Sequence, residues 1–402
     1  MDHATTEWVL MAILGCVFAY SLLTNIIAKT VLTLPMIFTA VGYVSAGFVD
    51  TMVAPETLNS LTRVLAEITL ILVLFSDASH VRLKALRQTV AVPARMLIIG
   101  LPLTIGLGTL VAFAINPQSG IAMALLTAAV LTPTDAALGQ TVVSSKSVPE
   151  HLRQTINVES GLNDGLVLPF VLLGAILASA TMTGANTDGL AMSALVQIAL
   201  GPLVGVALGW CAAKAMDAAQ QQNWIAEAAG GVAFLSVAFA AYIGAELVGG
   251  NGFIAAFVAG MVFGNTYRHS IHFIGEFMEG VGQLLTLFAF LVFGALLLPA
   301  GIDHMNWRAV VLALLFLTLV RMAPIALSLT GTGLALKEKL FLGWFGPRGL
   351  ASILFTLIMM DEFDIPGENE LLACVSMTVF LSIVLHGVTA APLAKRIRRG
   401  LG

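Results

Sequence analysis

The 402-residue chain is 58% hydrophobic and 10% charged, with a net charge of −4. Soluble proteins carry about 25% charged residues, so the composition excludes an ordinary aqueous domain and indicates a membrane-embedded chain. The acidic balance speaks against a nucleic-acid partner. Cys16, Cys211 and Cys374 lie inside apolar runs without zinc or disulfide spacing, and are expected to be buried, inert thiols.

Apolar runs near the ~20 residues needed to cross hydrocarbon recur from end to end, so an all-α polytopic membrane protein of about 13 transmembrane helices is predicted. The first, 8–27, follows Asp2 and Glu7 rather than a basic region, which argues against a cleaved signal peptide. Then come 31–49; 62–79, holding Asp77; 90–115; 120–143; 150–180; 189–216; 224–248; a short 252–264; 273–299; 306–328, holding Arg321; 338–360; and 370–393. The chain stops soon after "KRIRRGLG", and no soluble regulatory domain is expected: 1–402 reads as a single membrane domain.

Alternate connections carry Lys29, Arg82, Lys84, Arg87, Lys146, Arg153, Lys214, Arg268, Lys337, Lys339, Lys395, Arg396, Arg398 and Arg399, 14 of the 19 basic residues. The other connections hold Arg63 and Arg308 and the acidic "DEFDIPGENE". The positive-inside rule then puts the N-terminus outside and the C-terminus in the cytoplasm of a cell membrane.

Two spans are interrupted. The fifth reads "LLTAAVLTPTDAALGQTVV", with Pro133 between Thr132 and Thr134, and the twelfth "FLGWFGPRGLASILF", with Pro347 beside Arg348. Proline removes a helix hydrogen bond and clashes with the carbonyl four residues back, so each is a predicted break. The breaks lie seven spans apart and each holds a charge, as inverted repeats with paired broken helices at a binding site require.

Span six, "SVPEHLRQTINVESGLNDGLVLP", is predicted to begin with a capping box of Ser147 and Glu150. Helical spacing puts Ser160 and Asp164 on one face with Asn163 beside them, while Glu159 is rotated about 140° from Asp164. One acid can therefore be neutralised by an arginine while the other faces a cavity. Oxygens of Asp164, Ser160 and Asn163 suit a hard monovalent cation, and the fifth-span break adds hydroxyls and unwound carbonyls. Asp135 would start the second half-helix, where a carboxylate is favoured, and Arg348 would offset carbonyl ends exposed at its own break.

On "ESGLNDG", "TPTDA", "LVRMAP", "GPRG" and "LHGVTAAPL", the chain resembles, over essentially its whole length, the cation/proton antiporter superfamily, NhaP-type or sodium/proton exchanger branch. The resemblance implies two crossed discontinuous helices and a NhaA-like fold, divided into an ion-translocating core, mainly 62–180 and 273–402, and a dimerisation scaffold, mainly 1–60 and 181–265. It implies exchange of Na⁺ or Li⁺ for H⁺ by competition for Asp164. Ser160, Asp135, Thr134 and Asn163 would complete the cation site, Asp77 would reach the ion through water, Glu159 would pair with Arg321, and Arg348 would face Asp135 or nearby carbonyls. An Asn-Asp pair in place of Asp-Asp implies one proton per cation, and a homodimer in lipid is expected, with no cofactor and no enzymatic activity. Two departures stand out: Ala136, where many relatives have Pro, and Gly346-Pro347 ahead of Arg348.

Alternatives are a K⁺/H⁺ antiporter on the same scaffold, a cation channel, and an intramembrane hydrolase using a serine with His386. The last lacks a Gly-x-Ser-x-Gly motif, and a hydrogen-bonded packing histidine is the simpler reading. His80, His151, His269 and His272 are expected as solvated histidines on the cytoplasmic side, with pH sensing as the alternative.

Overall fold

The computed structural model describes residues 3–27, 30–52, 55–81, 91–145, 147–183, 187–226, 229–269 and 272–399. Among these the chain makes thirteen helical passes and no strand. They are α1 (His3–Ile27), α2 (Leu34–Met52) and α3 (Pro55–His80). α4 comprises Ala91–Arg95, a π turn at Met96–Gly100 and Leu101–Ile115. The fifth pass is two half-helices, α5a (Gly120–Val130) and α5b (Ala136–Val143). α6 (Glu150–Thr183), α7 (Thr187–Gln221), α8 (Ala229–Leu247) and α9 (Gly252–Thr266) follow. α10 comprises His272–Val292, a π turn at Phe293–Leu297 and Leu298–Asp303. α11 is Trp307–Leu317 and Leu319–Ser328. The twelfth pass is α12a (Leu336–Trp344) and α12b (Leu350–Glu362), and α13 is Glu368–Arg399.

Each expected span is a helical pass, and the two proline breaks are real. A further break, at Thr318 (φ −114°, ψ −92°), has no glycine or proline to announce it. The capping box at Ser147 does not form: α6 begins at Glu150, whose carboxylate accepts from Gln154 Nε2 at 3.0 Å. Of the thiols only Cys374 is buried; Cys211 is exposed on α7. Lys29, Arg82, Lys84, Arg87 and Lys146, counted above for orientation, lie outside the described residues.

Small residues decide which helices approach closely. Without a hydrophobic force between helices in lipid, close backbone packing through glycine holds them together. Gly201, Gly205 and Gly209 of α7 lie against the α9 backbone at Asn251, Ala255 and Ala259, and Gly260 and Gly264 of α9 lie against α3 at Phe75 and Ser79. Buried on nearly every side, α9 needs only 15 residues, and Phe75, Phe234 and Phe263 pin α3, α8 and α9 together with ring centroids 4.6 to 6.1 Å apart.

A second group forms around α6, with α4, α5a, α5b, α11, α12b and α13 packed in succession. Between the groups, α3 packs along α9 and also on α12b and α6, and α10 along α2 and α3 and also on α13. The close approaches to α9 and α2 rest on the glycine faces of those helices. Gly42 sits against the α10 backbone at Leu291 and Ala295, a contact that a side chain would block.

The two groups meet where α6 crosses α3 and α9. Gly161 faces Asp77, and Gly165 is filled by the ring of buried Phe257. Gly165→Ala is expected to cost about 1–3 kcal/mol by overpacking. Thermal unfolding of the purified protein should show that loss, and Phe257→Ala in the same chain should recover part of it.

Candidate functional site

The two breaks lie against each other and satisfy each other's orphaned backbone groups. A half-helix ending inside a membrane exposes carbonyls at one end and N–H groups at the other, and each left unpaired costs several kcal/mol. The Asp135 N–H donates to the Pro347 carbonyl at 2.7 Å, and in return an Asp135 carboxylate oxygen accepts from Leu350 N at 2.7 Å, at the start of α12b. Its other oxygen lies 3.4 Å from Leu138 N, in the first turn of α5b. One carboxylate therefore serves the N-terminal ends of both second half-helices, where negative charge is favoured. Gly349 has no side chain because the Asp135 carboxylate occupies that space.

At the C-terminal end of α5a, Ser352 Oγ donates to the Val130 carbonyl at 2.8 Å, and Thr132 Oγ1 donates back to Ala128 at 2.7 Å. Arg348, fully buried, donates from one guanidinium nitrogen to the Thr132 and Pro133 carbonyls. Arg348 thus offsets the carbonyls of the fifth-span break rather than those of its own, in keeping with the nearby carbonyls that the resemblance implies for it.

On α6, Glu159 is buried and bidentate with Arg321 of α11, at 2.8 and 3.0 Å. Gly346 leaves room for that guanidinium. Thr134 Oγ1 lies 3.3 Å from Glu159 and 3.0 Å from Ser160 Oγ, and accepts from Asn163 Nδ2, which also reaches Glu159 at 3.3 Å. Glu159, Arg321, Thr134, Ser160 and Asn163 thus form one connected network.

Asp164 stands apart from it. Its Oδ1 is buried without a hydrogen-bond partner, and Asn163 Oδ1 shares that condition. The side chain lines a cavity of about 1590 Å³, together with Asp77, Thr134, Asp135 and Ser160. Asp77 reaches it from α3, so the cavity is bounded by acids from both helix groups. His80, Ser144, His151 and Lys395 also line it, at the helix ends carrying the basic connections. From Glu150, at the start of α6, Asp164 lies about 21 Å along the helix axis.

At the opposite end Arg63 of α3 pairs with Glu67 at 2.8 Å and with Asp361 of α12b, closing the seam between the two groups. Thr69, Phe288, Ile353 and Leu354 pack beneath that pair. The cavity beside Asp164 therefore extends to one side of the bundle, where the basic ends lie.

Asp164, with a carboxylate oxygen lacking a hydrogen-bond partner, and Asp77 both place carboxylates on the cavity wall. Ser160, Thr134 and Asp135 line the same cavity but are already engaged. Sequence reasoning missed Ser352 and Ser382 as partners of the breaks, since nothing in their local spacing marks them.

His386 is a packing histidine: Nε2 meets the Trp344 carbonyl at 2.9 Å. A serine does sit beside it, Ser382 Oγ at 3.2 Å from Nδ1. Both are buried and neither lines the cavity, so the pair has no substrate access. His151, solvent-exposed as expected, lies 3.0 Å from Glu338, and the partly exposed His269 lies 2.9 Å from Asp217.

The family profile described as "Sodium/hydrogen exchanger, transmembrane" matches residues 6–396. The chain is 26% identical over 311 residues to Na(+)/H(+) antiporter 2 of Zygosaccharomyces rouxii, covering 68% of this chain and 38% of that protein. It is 28% identical over 278 residues to K(+)/H(+) antiporter NhaP2 of Shewanella oneidensis, covering 67% and 47%. It is 26% identical over 431 residues to a probable Na(+)/H(+) antiporter of Schizosaccharomyces pombe, covering 96% and 56%. The chain thus spans between 38% and 56% of the length of these relatives. Among solved structures, the sodium proton antiporter MjNhaP1 of Methanocaldococcus jannaschii at pH 8 shares the fold, with a TM-score of 0.76 and 17% identity over 95% of this chain and 99% of that one.

Proposed function

The chain belongs to the sodium/hydrogen exchanger family, a family of multi-pass membrane transporters rather than enzymes, and from that premise we propose that it is a secondary antiporter exchanging Na⁺ or Li⁺ for H⁺. The observation that carries this reading is the contrast between two acids five residues apart on α6. Glu159 has its charge matched by Arg321, whereas Asp164 has an unpartnered oxygen on the cavity wall. A buried carboxylate without a counter-charge needs a cation or a proton, because leaving it bare in low dielectric is expensive. Competition between the two for one oxygen couples their opposite movements.

Ser160, Thr134 and Asp135 supply polar surface around the ion, and Asp77 adds negative potential from the facing helix. Exchange is one for one, since Asn163 stands where a second acid would bind a further proton. The helix group around α6 acts as the moving core and the α3, α7, α8 and α9 group as scaffold. The chain works as a homodimer in a cell membrane, N-terminus outside, with the cavity opening to the cytoplasm. Opening the other side requires the Arg63–Asp361 contact to part.

The test uses everted membrane vesicles with a preset pH gradient, adding Na⁺, Li⁺ or K⁺ and following a pH-sensitive dye. Dequenching by Na⁺ or Li⁺, unchanged when the membrane potential is clamped, is expected. Silence with all three cations refutes antiport. Dequenching by K⁺ alone supports a second reading, K⁺/H⁺ exchange, favoured by the name of the Shewanella relative.

A further inference from the structure

The break of the fifth pass is flanked by α6, which supplies Glu159, Ser160 and Asn163. The break of the twelfth is flanked in the corresponding way by α13, whose polar side chains have no part in the ion chemistry above. Ser382 and His386 lie one turn apart on α13, 0% and 2% exposed. The Arg348 backbone N–H donates to Ser382 Oγ at 2.6 Å. That hydroxyl has its own hydrogen left to give, and His386 Nδ1 is 3.2 Å away. At the other edge of the ring, Nε2 lies 2.9 Å from the Trp344 carbonyl, within hydrogen-bond distance. Nδ1 also lies 3.0 Å from the Ser382 carbonyl, which belongs to the α13 hydrogen-bond ladder. Two side chains thereby hold both edges of the five-residue gap between Trp344, the last residue of α12a, and Leu350, the first of α12b.

What that gap carries matters more than its own stability. Pro347 receives the Asp135 N–H, and Arg348 grips the Thr132 and Pro133 carbonyls. The height of Thr134 and Asp135 in the cavity wall beside Asp164 is therefore set from across the crossing. We propose that Ser382 and His386 are positioning residues for the cation site, fixing the twelfth-pass break in the register from which Pro347 and Arg348 place Thr134 and Asp135. The proposal rests on the reading of Asp164 as the cation site.

The experiment measures thermal unfolding of the purified full chain at rising NaCl, LiCl or KCl, with chloride held constant by choline. A ligand that binds only the folded state raises the melting point by mass action, so the titration yields a half-saturating cation concentration without any transport assay. Ser382→Ala and His386→Phe are each expected to raise that concentration roughly fivefold, about the effect of one lost hydrogen bond on a binding constant. His386→Gln, which keeps a donor and an acceptor, should restore binding to near the wild-type value.

Lower melting points with unchanged half-saturation in both Ser382→Ala and His386→Phe overturn the proposal, since a purely structural role predicts that pattern. If His386→Phe does not fold, Ser382→Ala, which loses one oxygen, decides alone. Wild-type protein lacking any cation stabilisation that Asp164→Asn removes overturns the site reading itself, and the positioning role with it.

Discussion

Asp164→Asn is expected to fold, reach the membrane and move no protons in response to Na⁺, Li⁺ or K⁺. The substitution keeps the side chain's shape and costs no bond at Oδ1, because that oxygen has none. What it removes is the charge and the titratable group. An amide neither takes up a proton at working pH nor balances the desolvation of an alkali cation, so both halves of the exchange stop together. Dye dequenching in everted vesicles should fall to the level of vesicles lacking the protein. The melting temperature in detergent should equal or exceed wild type, since an unpaired buried charge is gone. Robust cation-driven proton movement by this variant would show that the exchanged ions bind elsewhere.

Arg321→Ala is expected to damage the fold far more than the selectivity. It leaves Glu159 buried with two oxygens stripped of their guanidinium partner, and breaking one side of a buried pair costs about 3–5 kcal/mol. Thr134 and Asn163 are each 3.3 Å from Glu159 and provide only part of the compensation. Glu159→Gln added to Arg321→Ala removes the orphaned charge and should recover much of the stability. The ratio of apparent Na⁺ and Li⁺ affinities should hardly change, because Asp164 lies outside the pair. Wild-type melting by Arg321→Ala would remove the claim that this pair supports the bundle.

Much of the architecture is legible along the chain because a bilayer simplifies the problem. Every apolar run of sufficient length must be a helix, so the thirteen passes follow from hydropathy, and proline at 133 and 347 marks the breaks. The acid pair on α6 is likewise readable: helical rotation separates Glu159 from Asp164, and the arginine 162 residues away in sequence from Glu159 is the partner found. The interruption at Thr318 is not announced by a glycine or proline at that position; there the Thr318 hydroxyl donates to the Leu314 carbonyl at 2.6 Å.

The sequence by itself determined the number of passes, the two broken helices and the residues able to carry charge inside a membrane. Those are local properties, governed by transfer free energy and backbone geometry over a few turns. Only the tertiary structure decided how each charge is spent: Asp135 on two helix ends, Arg348 on the carbonyls of the opposite break, Glu159 on Arg321, and Asp164 on nothing but the cavity. The physical reason is that an electrostatic or hydrogen-bond partner is chosen by distance in space. Bringing residues 132–135 and 346–350 into contact is the work of the crossing helices, not of any spacing along the chain.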